Sequence, residues 1–420
     1  MSKEITEILE IHNFLSLKDI KWEIKRFNII TGDMGVGKSL CIKLVQFFED
    51  IISDLLIMPY ENFLSHLESS TFFNSLINDF KETFILQTFS SKKTLPFKIT
   101  YTFSYKEKII TMTITGSDKT GIVFISPFLE ELLAEWNKIL HEKGFASPEK
   151  VTPDGFREVK LSLYTDLLKK FGNCFPIATI FVPASRAALA FSSNHTDNYL
   201  KEYKEIVDVL PQFASRHQKI INTILKANIL IENSFLYLKS DDGRKVPIAK
   251  ASSGQQEIVY VLMLLDRLGH FGYSYGLVQS LFIEEPSAHL FPLEQKQTIE
   301  LIALMFDHLK DNGSPVRFFI TTHSPYVLNV INNMMRKGSI IKQNIEQKDI
   351  INAKIEFPGL FSEDVSAVFI NENGTITDMV DYDEEQIFPE KIRDISFAIN
   401  NDIIRLDNLN DELIQSNKRN

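Results

Sequence analysis

The sequence predicts an α/β fold built on a mostly parallel sheet, and three observations carry that prediction. The runs Phe27–Ile30, Leu281–Ile283 and Phe318–Ile320 are apolar without alternation, as strands covered on both faces must be. Segments with apolar residues at helical spacing lie between such runs, beginning at Leu40, at Gly254 and at Leu293. Each run leads into glycines, acids or a histidine, at the carboxyl end where ligands of open α/β sheets collect.

In chain order, alternating strands are expected around 5–14 and 20–24, followed by the strand Phe27–Ile30, which stops at Thr31 just before a glycine loop. The helical spacing of LCIKLVQFFEDIISDLL then makes that loop open a helix. Residues 51–176 change character: PFKITYTFSY and KIITMTITG read as antiparallel strands and FLEELLAEWNKIL as a helix, so an inserted β/helical lobe is expected. A strand at 177–182 ends at Pro183-Ala184-Ser185-Arg186, and the polar region 191–244, closing in FLYLKS, reads as a helical insertion or arm. Residues 1–50, 177–190 and 245–370 together form the expected discontinuous head, and 371–420 a C-terminal helical segment with a polar tail.

With 420 residues and 44% hydrophobic content the chain has enough apolar material for two or three compact modules. Its two cysteines, Cys41 and Cys174, offer no zinc spacing and fit a reducing compartment, so a cytoplasmic location is expected. No run approaches the roughly 20 apolar residues of a membrane span, and MSKEITEILE lacks the layout of a signal peptide. A net charge of −10 argues against nonspecific polyanion binding by the whole chain, while local lysine clusters leave DNA binding by one face open.

Gly32-Asp33-Met34-Gly35-Val36-Gly37-Lys38-Ser39 fits G-x-x-x-x-G-K-[ST] without a mismatch, between a strand and a helix as that motif requires. The glycines let backbone amides wrap a phosphate, Lys38 is suited to the β and γ oxygens, and Ser39 offers a hydroxyl to Mg²⁺. Kinases, GTPases and many ATPases share such a loop, so other residues must decide the class.

Glu284 and Glu285 end the Leu281–Ile283 strand: the first is suited to orienting Mg²⁺, the second to polarising an attacking water. His323, after Thr321 and Thr322, is suited to a γ-phosphate or its water, although a lone histidine there reads equally well as structural. Ala251-Ser252-Ser253-Gly254-Gln255-Gln256 opens a helix and presents small residues at a positive end; taken alone it reads as a plain N-cap. Arg186 is placed to meet a nucleotide or partner phosphate, or else to form a structural ion pair.

In that order, GDMGVGKS, ASSGQQE, LFIEEPSAHLFP and FFITTHSP resemble the Walker A, signature, Walker B with D-loop, and H-loop segments of ABC-type ATPases. The opening ITEILEIHNFLSLKDIKWEIKRFNIITGDMGVGKS, FVPASR and EEPSAHLFP look most like the RecF-like and overcoming-lysogenisation-defect branch, an AAA family ATPase group, over about residues 1–50 and 177–370. The resemblance implies an ABC-type P-loop head with a mixed central sheet, ATP and Mg²⁺ as cofactors, and ATP hydrolysis. It implies a homodimer or higher homo-oligomer in which Ser252, Ser253, Gly254 and Gln255 close over ATP held by Gly32, Asp33, Gly35, Val36, Gly37, Lys38 and Ser39 of the partner copy. Glu285 then resembles the catalytic glutamate, His323 the switch histidine, Ser287-Ala288-His289 the D-loop, and Ser39 with Glu284 the metal ligands. Glu284 stands where Asp is usual, and Ser253 where many relatives have glycine, a departure that bears on how tightly the site closes and how slowly it turns over. Many members of this branch carry a Toprim nuclease; none is read here, and Asp381-Tyr382-Asp383 reads as a solvated turn.

Similar stand-alone relatives imply ATP-dependent dimerisation that regulates a protein effector, in bacterial antiphage defence. The alternative is a RecF-like ATPase of DNA repair, for which KSDDGRK and HEKGFASPEK must gather on one face. A transporter subunit is the weaker third reading, since the insertions are large and FVPASR is not typical of importers or exporters.

Overall fold

The computed structural model describes residues 6–58, 60–85, 96–105, 108–117, 121–143, 153–171, 178–186, 218–232, 235–271, 279–311 and 316–388. Strands β1 (Thr6–Phe14) and β2 (Leu17–Ile24) form a hairpin, and β3 (Phe27–Gly32) runs through the glycine loop into helix α1 (Lys38–Ile57). Next come α2 (Tyr60–His66), α3 (Ser69–Phe80), β4 (Phe97–Tyr105), β5 (Lys108–Ser117), β6 (Gly121–Ile125), α4 (Pro127–Glu142), α5 (Pro153–Phe171) and β7 (Ala178–Val182). After α6 (Gln218–Leu225) follow β8 (Asn228–Glu232), β9 (Phe235–Lys239), β10 (Lys245–Pro247), α7 (Ser253–Phe271), β11 (Gln279–Glu284) and α8 (Pro292–Asp311). The described chain closes with β12 (Val316–Thr322), α9 (Pro325–Gln343), α10 (Lys348–Lys354), β13 (Val365–Ile370), β14 (Ile376–Asp378), β15 (Val380–Asp381) and β16 (Gln386–Ile387).

The central sheet has the order β14-β13-β3-β12-β11-β7, parallel throughout except for the antiparallel β14. Every residue of β3, β12 and β13 is buried, which is why their sequences do not alternate. Side chains nevertheless sort by face. Ile30, Phe282 and Phe319 join the core under α1, whereas Ile29, Ile283, Phe318 and Ile320 join the core under α7, α8 and α9. Phe282 and Phe319, partners in register, stack with centroids 4.5 Å apart, and Phe181 continues the row at 6.4 Å.

Three expectations need correction. Residues 51–176 do not form a lobe apart: β4, β5 and β6 continue the N-terminal hairpin in one five-stranded sheet, β2-β1-β4-β5-β6, because β1 pairs β4 along its length. In 191–244 the described part is one helix and the first strands of the meander β8-β9-β10, whose Ile229, Leu236 and Leu238 join the core under α7; residues 187–217 lie outside the described residues. From 371 to 388 the chain is strand and turn, since β14 pairs β13, the Met379 amide donates to the Ala367 carbonyl and the Ile387 amide to the Asn332 side chain of α9; 389–420, and with them the tail, lie outside the described residues.

A charged cluster ties the two sheets and α1 together. Arg317 of β12 meets Glu7 of β1 at 2.6 Å and Glu49 of α1 at 3.1 Å, and the Tyr101 hydroxyl of β4 donates to Glu7. One guanidinium cannot keep two buried carboxylates ionised. Glu7 takes the shorter contact and the tyrosine, and burial, aided by the Glu7 charge against the pull of Arg317, pushes the Glu49 carboxyl up to about 8.

Candidate functional site

The carboxyl ends of β3, β11, β12 and β13 converge on one open cavity of about 1370 Å³. Its floor is the glycine loop. Gly32 has φ of 147°, and a Cβ there would sit 2.6 Å from the Ile370 carbonyl oxygen, its neighbour in the sheet. Gly37 has φ of 112°, and a Cβ there would meet the Ser16 hydroxyl at 2.7 Å. As N-cap of α1, Gly37 supplies no side-chain hydrogen bond, so the helix start is presented without a side-chain competitor for an anion. Gly35, Asp33, Lys38 and Ser39 line the cavity, whereas Val36 packs on the core and is not among the lining residues. The Lys38 ammonium donates to the Gly32 and Asp33 carbonyls, each at 2.8 Å. Burial holds it below the usual lysine range, against the pull of Glu285 and Asp33.

Opposite the loop stands an acid–histidine pair. Glu285 has φ of 44°, a left-handed conformation rare for a side chain of its size, and its amide donates to the Thr321 carbonyl at 3.0 Å. That turn aims the carboxylate across β12, where Oε2 lies 2.9 Å from His323 Nδ1 and accepts from the His323 amide at 3.3 Å. Glu285 and His323 both line the cavity with Lys38. Glu284 does not: its Oε2 accepts from the Ala184 amide at 3.0 Å, and its Oε1 is buried without a protein donor.

Ser252, Ser253, Gly254 and Gln255 lie outside the residues lining this cavity. Ser252 caps α7: its Oγ accepts from the Gln255 amide at 3.4 Å, and the Gln255 side chain returns to the Ser252 amide at 3.2 Å, a reciprocal capping box. Gly254 is pressed on the turn after β11, where a Cβ would be 2.7 Å from the His289 carbonyl oxygen. Arg186 lies away from the cavity: it is fully buried and bonds the carbonyls of Pro183, Glu257, Glu284 and Glu285, so of the two readings the structural one describes its contacts.

Sequence reasoning missed the fourth wall. Phe369, Asn371, Glu372 and Asn373, at and after the end of β13, line the cavity on the side of β3 away from Glu285. Asn371 is fixed by bonds to Thr375 and Thr377, and the Gly374 carbonyl accepts from the Lys18 amide at 2.8 Å, so the turn is braced against the β1–β2 hairpin. An apolar run, VSAVFI, ending in NENG was the available signal: one more buried strand opening on a turn.

A hydrated divalent cation suits this donor set. The Ser39 hydroxyl lines the cavity, and the orphaned Glu284 Oε1 is a buried acceptor whose missing donor costs stability unless a metal-bound water or another group supplies it. Among the described residues no cluster of three His, Cys, Asp or Glu side chains could hold a metal by themselves. Asp381 and Asp383 form no such site: Asp381 Oδ1 accepts the Asp383 amide at 2.9 Å in a surface turn.

With the site in view, the chain can be set beside known proteins. Residues 156–328 match the family model of the AAA ATPase domain, a stretch holding Ser252, Glu284, Glu285 and His323 but starting after the glycine loop. No curated protein matches the chain. Similar solved structures include the SMC head domain from Thermotoga maritima, 13% identical with a TM-score of 0.35, covering 89% of this chain and 97% of that one. A second is the SmcHead bound to the C-winged helix domain of ScpA, 12% identical, TM-score 0.41, covering 93% and 99%. A third is the recombination mediator protein RecF-ATPrS of the RecFOR pathway, 11% identical, TM-score 0.35, covering 90% and 99%. No described helix is long and apolar enough to cross a membrane.

Proposed function

We propose that the chain is an ATP-binding, ATP-hydrolysing protein of the ABC type whose nucleotide is closed over by a second copy. The observation that carries this reading is the cavity itself, with the uncapped start of α1 and Lys38 on one wall and the Glu285–His323 pair on the other. At about 1370 Å³ it exceeds the roughly 300–1,000 Å³ of ordinary ligand pockets, leaving room for a closing segment beside the nucleotide. The α7 start, exposed at Ser252 and outside its own cavity, is the segment suited to that task in the partner.

In this reading the loop amides and Lys38 hold the β and γ phosphates. Ser39 and Glu284 would hold Mg²⁺, which would supply positive charge against the charge that develops on the transferred phosphoryl group. Glu285 accepts the proton of the attacking water, and His323 holds the carboxylate in place from beside it. The turn Asn371–Asn373 lies on the opposite side of β3 from the acid, which suits the nucleoside end.

ATP-dependent pairing that regulates a protein effector, in antiphage defence, is the output we favour. A DNA-binding, RecF-like role is the alternative, but the β9–β10 hairpin gives it little. There Arg244 pairs with Asp242 at 2.7 Å and Lys245 with Glu232, and of HEKGFASPEK only residues 141–143 are described.

The test is Glu285→Gln. This variant is expected to keep Mg-ATP affinity, lose turnover by about 100-fold or more, and accumulate as nucleotide-bound dimers in sedimentation, with any effector retained in a pull-down. A wild-type chain without affinity for Mg-ATP would sink the reading.

A further inference from the structure

We propose that Arg186 is a positioning residue that wires the start of α7 to the carboxylate of Glu285, so that occupancy of one nucleotide site sets the geometry of the other. The inference rests on the ATPase reading above.

The guanidinium is fully buried and spreads across two elements. On one side Nη1 and Nη2 donate to two successive carbonyls, Glu284 at 2.7 Å and Glu285 at 2.8 Å. On the other side Nε donates to the Glu257 carbonyl at 2.6 Å and lies 3.5 Å from the Glu257 carboxylate. A planar fork can grip two adjacent carbonyls only when the backbone between them turns, and here Glu285 is held at φ of 44°. That left-handed turn carries the catalytic carboxylate over to His323. Without a bond to its carbonyl the strained residue has a route back to an ordinary conformation, and the carboxylate leaves the cavity. Lysine carries its donors on one nitrogen at the end of a flexible stem, so it cannot hold these two carbonyls and the Glu257 carbonyl at once in the fixed geometry of the fork.

Glu257 lies on α7 one helical turn beyond the Ser252–Gln255 capping box. The chain of contacts therefore runs from Ser252 through a rigid helical turn to Glu257, then Arg186, Glu285 and His323. In the proposed dimer the two ends of this chain serve different nucleotides: Ser252 addresses the partner's γ-phosphate, and Glu285 acts on the nucleotide of its own loop. A shift of α7 on engaging the partner is transmitted through the buried arginine to the glutamate at home. Arg186 touches neither nucleotide and carries no proton, so its effect falls on turnover and cooperativity, not on affinity.

The experiment compares Arg186→Lys and Glu257→Gln with the wild type, using the full chain and Mg-ATP. Arg186→Lys is expected to hold affinity within about threefold while kcat falls about tenfold or more, and Glu257→Gln, which keeps the side-chain shape, to fall less in the same direction. The Hill coefficient of turnover against ATP is expected to drop toward one in both. Unchanged kcat and Hill coefficient in a folded variant, or equal losses of affinity and turnover, overturn the proposal. Should Arg186→Lys fail to fold, Glu257→Gln decides alone. Absence of Mg-ATP affinity or turnover in the wild type overturns the parent reading instead, and the two failures are distinct.

Discussion

Two helices of this chain begin at places suited to an anion, and they differ in how they wait for it. Helix α1 starts behind Gly37 with no side-chain cap, whereas α7 starts behind Ser252, whose hydroxyl accepts from the Gln255 backbone amide while the Gln255 side-chain oxygen accepts from the Ser252 backbone amide. Each is rooted on a buried arginine: Glu49 of α1 meets Arg317, and Glu257 of α7 meets Arg186. The first helix is thus a standing site, ready whenever a phosphate arrives. The second is stable unliganded and must exchange its own capping bonds for a partner's phosphate, so it engages only when something better than its cap is offered.

The largest effect expected on this contrast is that of Lys38→Ala, which removes a cation facing both the loop and Glu285. Mg-ATP affinity falls by about 100-fold or more in equilibrium titration, while the unliganded melting temperature holds, because Lys38 bonds only loop carbonyls. Ser252→Asp separates the two uses of α7. Aspartate caps as well as serine, so thermal stability is retained, but its charge meets the partner's phosphate, and ATP-driven association weakens by roughly tenfold or more. Association that survives this change would reduce the α7 start to a cap and dissolve the contrast.

The root of α1 responds to pH. Burial keeps Glu49 protonated in the folded chain up to about 8, above its ordinary value, so the unfolded chain loses this proton first as pH rises. The contribution of this group to stability is therefore present at low pH and is lost between the ordinary carboxyl range and about 8, where the melting temperature falls by roughly 5 °C. Glu49→Gln is expected to flatten that part of the profile. The smallest effect is Ser252→Ala, about 1 kcal/mol of stability in denaturant titration from the lost cap.

Legibility was uneven, for reasons these residues display. The glycine loop, its strand and its helix were readable because their contacts span a few residues: Gly32, Gly37 and Lys38 are bound by local geometry. The acids after β11 and the histidine after β12 were readable as chemistry at strand ends, but not which acid faces the cavity. That choice depends on the Ala184 amide, which takes Glu284 from 100 residues away in the chain. Residues 371–388 are strand and turn because they pair with β13, whereas 389–420, the rest of the helical expectation, lie outside the described residues.

By itself the sequence determined that a strand leads into a glycine cradle and a helix, that further buried strands end in acids and a histidine, and that a serine opens the α7 helix. Those are local facts, set by backbone sterics and by the two short periods of strand and helix. Only the tertiary structure decided that β13 lies beside β3 and brings Asn371–Asn373 to the cavity, that β4–β6 extend the first hairpin, and that Arg186 is sealed beneath Glu285. Such pairings join residues from 86 to more than 300 positions apart, and they are chosen by which buried faces fit together, a competition that no short window of sequence records.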